Sequence, residues 1–102
     1  KIPYLMANVP TNPSVSAPTN VNASRNGNNV TITWSPAPPA LELGYLIEAR
    51  VCLDGYLYDV ANNTTATSYT LRDDSGCSSK SYGTLRVYNK LGYSTGVTIP
   101  WP

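Results

Sequence analysis

Two stretches of strict alternation constrain this chain more than anything else in it. Across Asn29-Val30-Thr31-Ile32-Thr33-Trp34-Ser35, apolar Val30, Ile32 and Trp34 alternate with small polar residues, and a second stretch repeats the pattern with Tyr45, Ile47, Ala49 and Val51. A period of two places one set of side chains on one face of a strand, whereas a helix would scatter them around its axis. Between the two lies Ser35-Pro36-Ala37-Pro38-Pro39-Ala40. Proline cannot donate to a ladder, so the chain leaves one sheet there and crosses to another. Strands so separated predict a two-sheet sandwich with the indole of Trp34 as the largest piece of its core.

The rest of the chain extends the pattern. Val21 and Ala23 alternate with polar neighbours, and Arg25-Asn26-Gly27-Asn28 then supplies the positive-φ residues of a tight hairpin. Asp54-Gly55 is a second hairpin signal, leading from the Tyr45 strand into Tyr56-Leu57-Tyr58-Asp59-Val60. Thr67 to Leu71 reads as a short strand with Tyr69 and Leu71 on one face. From Ser81 to Asn89, Leu85 and Val87 point inward and Tyr82, Thr84, Arg86 and Tyr88 outward; Asn89-Lys90-Leu91-Gly92 turns the chain into a last strand from Tyr93 to Ile99. Short strands at regular spacing, with no helical periodicity anywhere, predict an all-β, seven-stranded antiparallel two-sheet sandwich. Its expected core is Val30, Ile32, Trp34, Tyr45, Ile47, Tyr69, Leu71, Leu85 and Val87.

A length of 102 residues fits one domain. Residues 1–17, with Pro3, Pro10 and Pro13, read as a linker or partly docked segment, and 18–102 as the domain proper. Lys1-Ile2-Pro3-Tyr4-Leu5-Met6 is too short and proline-broken for a signal peptide, so the chain reads as an excised or processed piece of something longer. A net charge of +1 with 13% charged residues gives no electrostatic reason to expect nucleic acid or an anionic membrane surface. No apolar run approaches the roughly 20 residues of a membrane helix. Asparagine, serine, threonine and tyrosine keep the surface polar, a balance associated with secreted modules.

Catalysis finds no support. Histidine is absent, as are GxSxG and any phosphate-binding loop, and the acids are limited to Glu42, Glu48, Asp54, Asp59, Asp73 and Asp74. Asp73-Asp74-Ser75-Gly76 lacks the third carboxylate that calcium would want and reads as a solvated turn. No catalytic residue, metal site or cofactor is expected. The two cysteines, Cys52 and Cys77, suit neither zinc nor a CxxC redox motif; a disulfide is the better reading, with free buried thiols as the alternative. Asn22, Asn29, Asn62 and Asn63 each open a formal glycosylation sequon.

From about residue 17 to 99 the chain resembles a fibronectin type III domain. The likeness is carried by Pro18 and Val21, by Val30-Thr31-Ile32-Thr33-Trp34-Ser35-Pro36, by Gly44-Tyr45-Leu46-Ile47, by Thr67-Ser68-Tyr69-Thr70-Leu71, and by Asn89-Lys90-Leu91-Gly92-Tyr93-Ser94. The resemblance implies that the third and sixth strands are antiparallel neighbours. Cys52 then lies near the chain just after Cys77, and a bridge would stabilise by roughly 3 kcal/mol. It also implies a corner tyrosine at the position of Ser81; Tyr82 is one residue off, so either a bulge shifts the register or that hydrogen bond is missing.

The function it implies is a non-catalytic spacer or interaction module of a larger secreted or cell-surface protein, with neighbouring domains or another protein as partners. The alternative is a carbohydrate-binding module. On the outward face, Leu46, Glu48, Arg50 and Cys52 stand beside Tyr82, Thr84, Arg86 and Tyr88, with Glu48 pairing Arg86. Tyr56, Tyr58, Tyr82, Arg86, Tyr88 and Tyr93 make up the candidate ligand face for a protein or polysaccharide.

Overall fold

The computed structural model describes residues 11–35 and 42–102. Expectations for residues 1–10 and for the proline-rich crossover lie outside these. The described strands are β1 (Thr19–Asn26), β2 (Asn29–Ser35), β3 (Glu42–Leu53), β4 (Tyr56–Thr64), β5 (Ser68–Arg72), β6 (Tyr82–Asn89), β7 (Gly92–Tyr93) and β8 (Val97–Thr98). One sheet has the order β1-β2-β5 and the other β4-β3-β6-β7, with β8 also on β6. Every strand pair is antiparallel.

The hairpins follow from their turn residues. Asn26 pairs with Asn29 across a two-residue loop whose first residue, Gly27, has φ 63°. Leu53 pairs with Tyr56 across Asp54 and Gly55, with φ 53° and 87°. Both residues of that loop adopt positive φ, as the I′ turn matching strand twist requires.

The core lies between the sheets. Val30, Ile32, Trp34 and Leu71 from the smaller sheet meet Tyr45, Ile47, Ala49, Val51, Leu85 and Val87 from the larger, all buried, while Tyr69 packs against the cluster half-buried. Trp34 and Tyr45 meet edge to face at 5.2 Å and 65°, a favoured geometry for two π systems. Val15, Ile99 and Trp101 join the same cluster.

The eighth strand arises by interruption. Tyr93 pairs with Tyr88 and the Ser94 N–H still donates to the Val87 carbonyl, but Val97 pairs with Leu85 and Thr98 with Thr84. Between Ser94 and Val97 the register thus gains one residue, a bulge that divides the expected Tyr93–Ile99 strand into β7 and β8.

Residues 11–17, expected as a linker or partly docked segment, make specific contacts. Thr11 forms a parallel bridge with Tyr93, Asn12 bonds the carbonyls of Tyr93 and Leu91, and Val15 is buried in the core. This segment meets the sandwich beside the β6–β7 turn. Trp101 sits at the opposite end, with the β1–β2 turn and the loop between β5 and β6.

Candidate functional site

The densest polar arrangement lies at that second end and centres on Asp73. The backbone here ties the two sheets together: the Asp73 N–H donates to the Asn28 carbonyl at the β1–β2 turn, and the N–H of the next residue, Asp74, to the Cys52 carbonyl on β3, both at 2.8 Å. The carboxylate is buried, 1% exposed. Oδ1 accepts from the Cys52 N–H at 2.8 Å and the Ser81 hydroxyl at 2.5 Å; Oδ2 accepts from Arg25 at 2.6 Å and the Trp101 indole N–H at 2.9 Å. Arg25 also donates to the Asp73 carbonyl at 2.7 Å. Donors from β1, β3, the residue just before β6 and the segment after β8 thus converge on one side chain. The Cys52–Cys77 disulfide, with Cα atoms 5.9 Å apart, fastens the same loop to β3.

This corrects the reading of Asp73 as part of a solvated turn. Asp74 fits that reading better: it pairs with exposed Arg72 and accepts from the Asp54 N–H. The departure at Ser81 is also resolved. β3 and β6 stay in unbroken register from Gly44–Tyr88 to Arg50–Tyr82, so no bulge restores the corner tyrosine. Ser81 turns inward and its hydroxyl bonds Asp73, while the Tyr82 hydroxyl is buried without a hydrogen-bond partner. The sequence did offer a signal: the N–H of a buried tryptophan usually finds an acceptor, and Trp101, which stands outside every strand pattern, finds one in Asp73, whereas the buried Trp34 N–H has none.

Burial by itself pushes the Asp73 pKa up. Hydrogen bonds from Ser81, the Cys52 N–H, Trp101 and Arg25 outweigh it, and the net result lies below the ordinary value of 3.8. A carboxylate with a depressed native pKa contributes stability that is complete above its unfolded pKa and is lost as pH falls toward the native value. The wild-type urea midpoint is therefore expected to hold steady down to about pH 5 and fall below about pH 4. Measured over the same series, Asp73→Asn is expected to show a shallower acid decline from a lower starting point. An equal slope in the two proteins would remove Asp73 from this role.

Chemically the arrangement is closed. Each Asp73 oxygen already accepts two donors, leaving no lone pair placed to take a substrate proton. The cleft beside it, lined by Arg25, Ser79, Lys80 and Trp101 among others, has a volume of about 140 Å³, less than the 300 Å³ or so at which small-molecule sites begin. Among the described residues no group of three His, Cys, Asp or Glu side chains is placed to hold a metal ion.

The six residues of the candidate ligand face do not share one face. Tyr82, Arg86, Tyr88 and Tyr93 stand on the outer side of the larger sheet, opposite or beside Arg50, Leu46 and Gly44. Tyr56 and Tyr58 pair with Leu53 and Val51, so they stand on the core side of edge strand β4, where they overhang and are 70% and 50% exposed. On the outer side, Leu46, Glu48, Cys52 and Arg86 are buried. The Arg86 guanidinium bonds Glu48 at 3.3 Å, the Ser94 carbonyl at 3.0 Å and the Thr11 hydroxyl at 3.2 Å, which leaves it engaged within the domain. The Glu48–Arg86 pair thus forms, diagonally across the strands. Tyr88 lies over Gly44, whose absent Cβ would fall 2.7 Å from the Tyr88 hydroxyl. Tyr88 and Tyr93 are half-buried, with ring centroids 5.6 Å apart and planes tilted by 44°, so they do not form a flat platform.

No family model and no curated protein matches the chain. Among solved structures it is similar to the FN3 domain of human collagen XX, at 23% identity and a TM-score of 0.62, covering 87% of this chain and 96% of that one. It is also similar to a Fn3-like protein from Clostridium thermocellum, at 23% identity and a TM-score of 0.57, over 86% of this chain and 94% of that one. Against the FN1–FN3 domains of chicken CNTN1 the identity is 19% and the TM-score 0.62, over 89% of this chain but 31% of that one, which carries several such domains in series.

Proposed function

We propose, from the premise that the chain has a fibronectin type III fold, that it is a non-catalytic spacer or protein-interaction module of a larger secreted or cell-surface protein. The observation that carries this is the path of the chain. Residues 11–18 meet the sandwich beside the β6–β7 turn, and Trp101 is anchored at the other end by Asp73. A domain entered at one end and left at the other, with both segments held by specific bonds, sets the distance and direction between whatever flanks it. The disulfide supports an oxidising, extracellular setting. Neighbouring domains or another protein are the partners this reading names.

Affinity electrophoresis of the isolated domain through gels containing soluble polysaccharides separates this reading from carbohydrate binding. Unretarded migration is expected, because the exposed and half-buried tyrosines are divided between two faces. Retardation that disappears on Tyr88→Ala or Tyr56→Ala would replace the spacer reading with a polysaccharide-binding one.

A further inference from the structure

The sheet edges of this domain are unequal. β1 is broken by a register shift between Thr19 and Asn22, with Asn20 at φ 53°. β5 is five residues long and ends on exposed Arg72. The bulge between Ser94 and Val97 interrupts the β7–β8 edge. These are the usual devices that keep an edge from recruiting another strand. β4 is the least protected: its nine residues, Tyr-Leu-Tyr-Asp-Val-Ala-Asn-Asn-Thr, pair with β3 without a register shift, contain no proline or lysine and carry a single charge, Asp59. Among the described residues its other side is unpaired.

We propose that this edge pairs antiparallel with β4 of a second copy of the chain, about a twofold axis at Val60. The register follows from the hairpin. Leu53 and Tyr56 close the two-residue turn as a hydrogen-bonded pair, so every second pair from there bonds inward to β3. The backbone groups of Leu57, Asp59, Ala61 and Asn63 then point to the free edge. A twofold at Val60 matches Leu57 with Asn63 and Asp59 with Ala61, and repeats both matches by symmetry. All four outward residues of each copy are paired.

Charge selects the same register. Asp59 is the sole charged residue of β4 and is held by Arg50 at 3.7 Å. Centring the pairing on Asp59 would set two carboxylates opposite each other, whereas centring on Val60 sets each against Ala61. The exposed tyrosines are also accounted for. On the core side of β4, Tyr58 would face Asn62 of the second copy and Tyr56 would face Thr64, covering rings that otherwise overhang into water.

The test is sedimentation equilibrium of the intact chain over a wide concentration range, with three variants at Ala61. Wild type is expected to associate to a dimer. Ala61→Pro is expected to be monomeric with an unchanged circular dichroism spectrum, since the N–H it removes points away from β3 and proline is tolerated there. Ala61→Lys, placed against Asp59 of the second copy, is expected to tighten the dimer several-fold, and Ala61→Asp to weaken it several-fold. If Ala61→Pro disturbs the fold, the opposite shifts of the other two variants still report the register. A wild type that stays monomeric at the highest concentration, or a dimer that all three variants leave unchanged, would overturn the proposal.

Discussion

Asp73→Ala is expected to destabilise the domain by about 3–5 kcal/mol, the cost of removing one member of a buried charged network and leaving the others unpaired. The donors left behind decide the size of the effect. The Cys52 N–H, the Ser81 hydroxyl and the Trp101 indole N–H are held by the larger sheet and the segments next to it, and Arg25 on the smaller sheet completes the set. In a domain of this length each kcal/mol corresponds to about 4–8 °C, so the melting temperature should fall by roughly 12 °C or more. Asp74→Ala is the control: its carboxylate also bonds an arginine and a backbone N–H, Arg72 and Asp54, but Arg72 is half exposed. Exposed ion pairs contribute little, so that variant should move far less. A thermal melt in which the two aspartate variants fall together would show that Asp73 is not the point where the sheets are joined.

The readable part of this fold was the part governed by repetition. Val30, Ile32 and Trp34 declared their facing because every second residue of β2 must share a face, and Asp54-Gly55 declared its turn because few residue pairs tolerate two positive φ angles. What escaped depends on partners distant in sequence. Asp73 sits in Asp-Asp-Ser-Gly, a composition that local rules assign to a turn. Its burial follows only once residues 48 positions before it and 28 after it are brought together. The candidate ligand face failed to assemble for a related reason. Alternation gives the side of a strand but not what covers that side, so Arg86 points outward as the alternation dictates and yet is buried among Glu48, Ser94 and Thr11. Tyr56 and Tyr58 reverse the case. They stand on the core side of β4 and are exposed because an edge strand of the larger sheet reaches beyond the smaller one.

Removing the disulfide, as Cys52→Ala with Cys77→Ala, is expected to cost about 3–4 kcal/mol. The bridge closes a loop with a sequence separation of 25, and loop-closure entropy scales with the logarithm of that length. For a domain whose total stability is on the order of 5–15 kcal/mol, the loss is a large fraction of the whole. Reduction of the wild-type protein should reproduce it, lowering the urea midpoint and raising the slope, because the unfolded chain without its cross-link is more expanded. The informative experiment combines this change with Asp73→Ala. Cys52 supplies both a sulfur to the bridge and an N–H to Asp73, and the bridged loop also carries Asp73 itself. Each change therefore loosens the segment that the other would hold, and the triple variant should lose less than the sum of the two effects, by about 1 kcal/mol or more. Simple additivity would mean that bridge and carboxylate act as separate fasteners. Sub-additivity would mean that this end of the sandwich opens as one unit, so that in a reducing compartment the anchor of Trp101 would loosen together with the loop.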